Sequence, residues 1–164
     1  MNDFVFIGRI VNTHGIKGEL RILSDFEKKE RVFKPGITIF IGKEKQEEII
    51  NTFRHHKQFE MITLEGYSNI NEVLKYKNQN VYVSRTTLEL KPEEYLYEDL
   101  INMEVIEEQK VLGKIKDIMY NKANILLYIE GEKNFYIPLN EEYVKEVDLE
   151  RKEVKVVGGS NLIL

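Results

Sequence analysis

The sequence contains no cysteine. Disulfide staples, thiolate nucleophiles and cysteine-based metal sites are excluded, and the chain fits a reducing compartment or no compartment preference. Its start, MNDFVFIGRI, lacks the basic lead and long apolar run of a secretory signal. No stretch approaches the ~20 apolar residues of a membrane span, so a cytoplasmic protein without membrane contact is the expectation. Serines are few and none stands in a nucleophile elbow. There is no dinucleotide fingerprint and no GxxxxGK[ST] phosphate loop, no internal repeat and no low-complexity tract. Carboxylates are many, but they fall on surface turns and charge runs. Nothing converges on catalysis, and the expectation is a non-enzyme with no cofactor and no metal.

What is present is an ordinary globular composition, 42% hydrophobic and 32% charged over 164 residues. That length suits one average domain or two small ones. The charge is unevenly spread. Residues 1–90 carry 14 Lys/Arg against 12 Asp/Glu, whereas residues 91–164 carry 10 against 16. The three histidines, His14, His55 and His56, all fall in the first part. This asymmetry places a boundary near residue 90. It also argues against the whole chain coating nucleic acid, because that binding rests on neutralising phosphates. An acidic second half suits a basic protein partner, or simply a solvated surface.

Short β-rich runs dominate: Phe4–Val11, Glu19–Leu23, Ile37–Ile41, Glu48–Phe53, Phe59–Leu64 and Val81–Val83. Branched and aromatic residues bounded by turn residues predict strands, and regular short strands predict a small barrel or sandwich. Asn69–Ile70–Asn71–Glu72 is a capping pattern, followed by Val73 and Leu74 on the face of Ile70; it predicts one short helix plugging a barrel end. A connector runs through Thr86–Glu94, with Pro92 inside it. Beyond lie Val105–Glu107, Leu112–Met119, Ile125–Glu130, Phe135–Leu139, Val144–Asp148 and Val154–Val157, with turns at 131–133 and 150–152. A second β-barrel is the expected architecture, with the closing GGSNLIL docking its apolar end on a barrel.

Three local features are candidates for contact. His14–Gly15–Ile16–Lys17–Gly18 places two glycines three apart between two strands. Such a loop permits a tight turn with φ > 0 and exposes an imidazole, an ammonium and backbone N–H groups that suit phosphate. A purely structural turn is the other reading. Arg54–His55–His56–Lys57 ends one strand; adjacent histidines on a strand point to opposite faces, which argues against a shared metal. That segment is a solvated hairpin tip or a contact with RNA or protein. In Glu93–Leu100 the tyrosines Tyr95 and Tyr97 alternate among acids, as interface anchors or as packing for the second barrel.

These residues line up with a family. GRIVNTHGIKGELRILS (Gly8–Ser24) resembles the N-terminal signature of RimM proteins, and FRHHKQFEMITLEGYSNINEVLKYKNQNVYVSR (Phe53–Arg85) is similar to the remainder of their first domain. EYLYEDL (Glu94–Leu100), LGKIKDI (Leu112–Ile118), IPL (Ile137–Leu139) and VKEVDL (Val144–Leu149) resemble a PRC-barrel. The resemblance implies an all-β protein of two small barrels. Residues 1–88 would form a six-stranded barrel, like the second domain of translation elongation factors, with a short helix. Residues 89–94 would be a linker, and 95–164 the PRC-barrel.

The resemblance also implies a ribosome maturation factor that supports late assembly of the small-subunit head and processing of its rRNA. Such a factor binds immature small subunits through the nineteenth small-subunit ribosomal protein, and it is expected to be a monomer. In the family a pair of aromatics opens the second barrel. Tyr95 falls on one of them, Leu96 departs at the adjacent position, and Tyr97 follows. The partner-binding set expected from this is Tyr95, Tyr97, Asp99, Leu100 and Asn124, although in Ala123–Asn124–Ile125 the acid usual after this asparagine is missing. RNA or ribosome contacts are expected from His14, Gly15, Lys17, Gly18, Arg54, His56 and Lys57. The rivals are a general RNA-binding β-barrel module, which predicts a steep salt dependence on naked RNA, and a flavin-type enzyme on a small barrel.

Overall fold

The computed structural model describes residues 3–121 and 124–163; Ala123 and the terminal Leu164 lie outside them. The chain divides into two compact units, Met1–Leu90 and Lys91–Leu164.

In the first unit, β1 (Phe4–His14), β2 (Glu19–Leu23), β3 (Thr38–Ile41), β4 (Gln46–His56), β5 (Phe59–Leu64) and β6 (Asn80–Ser84) close into an antiparallel barrel in the order β1-β2-β5-β4-β3-β6. Alternation fills its interior with Val5, Ile7, Ile10, Leu20, Ile22, Ile39, Ile41, Ile50, Ile62, Val81 and Val83, all at most 2% exposed. Two strands run longer than the sequence pattern suggests. β1 reaches His14 and β4 starts at Gln46, eleven residues each. Register shifts at Ile10/Asn12 and Ile50/Thr52 bend them, so that one strand serves two stretches of the ring.

The predicted helix begins where its cap says. Asn69 accepts from the Glu72 N–H at 3.3 Å, and Glu72 Oε1 takes the N–H groups of Ser68 and Asn69 at 3.0 and 3.2 Å. It makes only one α-turn, α1 (Ile70–Val73), and then tightens to a 3-10 turn, Leu74–Tyr76. Tightening rotates Leu74 outward, to 48% exposure, and brings Tyr76 into the buried position instead. The first part of the connector is built in as well: the 3-10 turn Arg85–Leu88 buries Leu88, whose carbonyl accepts from Arg31 at 3.1 Å.

In the second unit, a 3-10 turn (Tyr97–Leu100) leads into β7 (Glu104–Glu107), β8 (Lys110–Asn121), β9 (Asn124–Glu130), β10 (Phe135–Pro138), β11 (Val144–Asp148) and β12 (Glu153–Val156). The sheet order is β10-β9-β8-β7-β12-β11, with β12 and β7 parallel and the other neighbours antiparallel. Residues from all six strands pack into one core around Val105, Ile115, Leu127, Ile137 and Val154, so the sheet curls on itself. The C-terminal segment docks as expected. Leu162 and Ile163 pack on this core, and the Glu107 carboxylate accepts from the N–H of Gly159 (2.7 Å), the N–H of Ser160 (3.3 Å) and the Ser160 hydroxyl (2.6 Å).

Candidate functional site

Register brings the first two candidate segments together. β2 lies between β1 and β5, and β5 pairs with β4. His14 is opposite Glu19, Arg21 is opposite Met61, and Met61 is opposite Arg54. The strand ends carrying His14, Glu19, Arg21 and Arg54 therefore share one wall of the barrel, with the β1–β2 loop and the β4–β5 tip at its opposite ends. Arg54 Nε and Nη2 donate to Glu19 Oε2 and Oε1, both at 2.8 Å. This fork, together with the Arg54 charge, outweighs desolvation and holds the Glu19 carboxyl below the usual carboxylate range.

Arg21 Nη2 meets His14 Nδ1 at 2.6 Å, and its guanidinium lies 5.5 Å from the centre of the Phe59 ring. Guanidinium only donates, so Nδ1 accepts and His14 keeps its proton on Nε2. His14 thus presents a donor with a fixed tautomer. Gly15 and Gly18 both have positive φ, +73 and +85. Gly15 stands in open space. A Cβ on Gly18 would come within 2.9 Å of the Asn69 carbonyl oxygen, so Gly18 is required by close packing on α1. The loop is tied there too, as the Ile70 N–H donates to the Ile16 carbonyl at 2.9 Å. What the loop offers outward is Lys17 and Ile16, the latter 81% exposed. At the other tip Lys57 is exposed with φ +56, and His56 is half-buried. His55 turns away from His56 and bonds Glu60 at 2.7 Å. Among the described residues no cluster of His, Cys, Asp or Glu could hold a metal.

The second set separates into contact and core. Tyr95 is half-buried against the core; burial first, and then Tyr97, raises its phenol above the usual value. Tyr97 opens the 3-10 turn, with its ring 6.4 Å from that of Tyr120. Asp99 accepts from the Leu96 N–H at 2.8 Å and fixes that turn. Leu100 is fully buried in the core and Leu96 is fully buried, so neither side chain presents surface to a partner. A tight turn carries 96 and 100 inward, leaves Tyr97 part-buried and turns Glu98 out. Asn124 is exposed at the start of β9, opposite Asn121 and one pair beyond Tyr120–Ile125. Tyr97, Tyr120 and Asn124 therefore share one end of the β8–β9 hairpin. Sequence reading missed Tyr120, Glu19, Arg21 and Phe59. Only the register of distant strands joins them to the candidates; the i, i+2 spacing of Glu19 and Arg21 beside the loop was the one available signal.

No helix among the described residues is long and apolar enough to cross a membrane. Residues 5–88 match the RimM N-terminal domain, and residues 97–162 match the RimM PRC barrel domain. The chain is 39% identical over 164 residues to a ribosome maturation factor RimM of Shouchella clausii, covering 95% of each protein. It is 38% identical to the RimM of an Exiguobacterium species (98% of this chain, 97% of that protein). It is 37% identical to that of Bacillus subtilis (96% and 95%). A crystal structure of a 16S ribosomal RNA processing protein RimM from Pseudomonas aeruginosa aligns over 94% of this chain and 96% of that one, at 20% identity and a TM-score of 0.43. With both domain profiles matched in order and curated relatives aligned from end to end, the chain belongs to the RimM family.

Proposed function

We propose that this chain is an accessory factor in ribosome maturation, supporting late assembly of the small-subunit head and processing of its rRNA. It binds free immature small subunits through the nineteenth small-subunit ribosomal protein. The observation that carries this reading is the match of both RimM domains along nearly the whole chain. In it, residues 1–88 form the ribosome-facing barrel, 89–94 connect, and 95–164 receive the basic protein. The excess of acids in residues 91–164 suits that partner, and Tyr97, Tyr120 and Asn124 supply an aromatic and polar anchor. Lys17, Lys57, His14 and His56 on the first barrel suit phosphate and rRNA edges. The factor acts as a cytoplasmic monomer without cofactor or covalent chemistry. Gripping one arrangement of the head better than another shifts the population toward it.

The test is capture of the purified nineteenth protein by the full chain, with Tyr97→Ala/Tyr120→Ala and Tyr95→Ala/Tyr97→Ala beside wild type. Wild type captures and the variants lose about tenfold or more in affinity, the loss of a hot-spot pair. Failure of wild type to capture removes the partner. Equal sedimentation with mature and immature subunits removes the assembly role.

A further inference from the structure

On the first barrel, at the end of β4 opposite the β4–β5 tip, a groove opens between the β3–β4 turn and the segment following α1. β4 separates it from that tip: Gln46 begins the strand at the groove and His56 ends it at the tip, ten residues on. The groove has a volume of about 420 Å³, within the range of small-ligand sites. Its floor is Ile41 and Tyr76, 2% and 4% exposed. Gln46 and Gln79 line it as well, as do Lys43 and Lys75.

We propose that this groove binds one unstacked nucleotide of single-stranded RNA, the base between the two carboxamides and the phosphate on the lysines. The inference rests on the proposed role in rRNA handling only for where such a strand is met.

The groove is built. The Tyr76 hydroxyl donates to Glu48 on the inner side, alongside Tyr67, which donates to the same oxygen at 2.6 Å. Tyr76 therefore offers the groove its apolar ring, over which Lys75 Nζ stands 5.1 Å from the centroid. The Gln79 backbone is pinned at both groups: its N–H donates to Tyr76 at 3.1 Å and its carbonyl accepts from Ile10 at 2.9 Å. Its carboxamide oxygen rests over Gly42 (φ +78), 2.9 Å from where a Cβ would stand, so a side chain at 42 would displace it. Among the described residues no hydrogen bond engages the carboxamide of Gln46 or Gln79. A carboxamide pairs a donor with an acceptor, as does the Watson–Crick edge of every base. A nucleotide uses all four groups, the carboxamides for its base and the lysines for its phosphate. Glu44 is the one carboxylate lining the groove, and Glu47 follows on β4.

The same turn leads to a platform for a neighbouring base. Lys45 lies over Tyr82 at 4.2 Å and Phe4 at 5.6 Å, and the Phe6 ring, half exposed, packs edge-on against Tyr82 at 5.9 Å. Exposed aromatics beside lysines on a sheet are what successive unpaired bases stack on.

The test is fluorescence anisotropy of end-labelled single-stranded RNA heptamers of each base with the full chain at low salt, with a duplex of the same length as competitor. At least one heptamer binds and the duplex competes poorly. Gln46→Ala/Gln79→Ala and Lys43→Ala/Lys75→Ala each weaken binding by about tenfold or more. In a methyl-labelled sample the heptamer shifts the Ile41 methyl signal, a readout that also shows each variant to be folded. No binding by wild type, unchanged binding by both groove variants, or a duplex that competes equally would each overturn the proposal. Capture of the nineteenth protein by the groove variants is read separately: if capture persists while wild type fails to bind RNA, the groove falls and the assembly role stands.

Discussion

Arg54 and Glu19 lie 35 residues apart in sequence, yet the guanidinium of one grips the carboxylate of the other through two bonds of 2.8 Å, bridging the strands on either side of β5. The pair ties β2 to β4 across β5 and leaves Lys17 and Lys57 exposed at opposite ends of that wall. Its electrostatic signature is direct. A carboxyl depressed in the folded chain contributes stability above its unfolded pKa, and that contribution is lost as pH falls through the folded value. Carboxyl-detected NMR is expected to find Glu19 titrating below the usual range, and Arg54→Ala to move it upward. An unchanged Glu19 titration in that variant removes the coupling.

Tyr76 and Glu48 make the opposite case, a phenol whose pKa burial first, and then the Glu48 hydrogen bond, push far up. A pKa raised on folding stabilises below the unfolded tyrosine value, and the contribution fades as pH climbs above it. Alkaline titration by tyrosinate absorbance therefore leaves Tyr76 protonated until the barrel unfolds. Tyr76→Phe removes a buried bond to a carboxylate and costs about 1.5–3 kcal/mol in urea unfolding. A cost near zero means Glu48 is satisfied without it.

Gly15 and Gly18 share a backbone sign but not a neighbourhood. Gly15→Ala meets only the left-handed penalty, about 1–2 kcal/mol. Gly18→Ala adds the approach to Asn69 and costs more, about 2–4 kcal/mol. Equal losses in denaturant midpoint would show that α1 yields freely.

Leu100→Ala and Tyr97→Ala separate core from contact. Leu100→Ala opens a cavity and costs about 2–5 kcal/mol, with partner capture lost only in proportion to the unfolded fraction. Tyr97→Ala leaves the melting point close to wild type and reduces capture. Capture lost by folded Leu100→Ala would return that residue to the interface.

Glu107 holds the C-terminal segment, and the Ser160 hydroxyl, more than the two backbone N–H groups, keeps its carboxyl low against desolvation. The hold is present at neutral pH and released as acid protonates the group. Hydrogen exchange at Gly159 quickens in acid and in Glu107→Ala; an unaltered rate would assign the docking to Leu162 and Ile163 alone.

Most strands were legible in the sequence, because a half-buried strand writes its alternation into the chain: Ile37–Ile41 and Phe59–Leu64 fall on β3 and β5 nearly residue for residue. The cap at Asn69 was legible for the same local reason. The Tyr95–Leu100 stretch was not, since alternating aromatics and acids suggest an exposed strip. The Asp99 bond to Leu96 winds it into a tight turn that buries every fourth residue. The grouping of His14, Glu19, Arg21, Arg54 and Phe59 depends on which strands pair, and pairing between segments 35 residues apart leaves no mark within either.

The two sheets end differently, and this governs self-association. A closed ring has no unpaired rim to template another chain. The second sheet finishes at β10 and β11, where that hazard survives. Both rims are blunted. β10 is four residues long and ends in Pro138, which has no N–H to lend, while β11 carries Lys145 and Glu146 exposed. Fibril seeding, should this chain ever be pushed to it, begins in the C-terminal half, and substituting valine at 138 and 145 is the shortest route there.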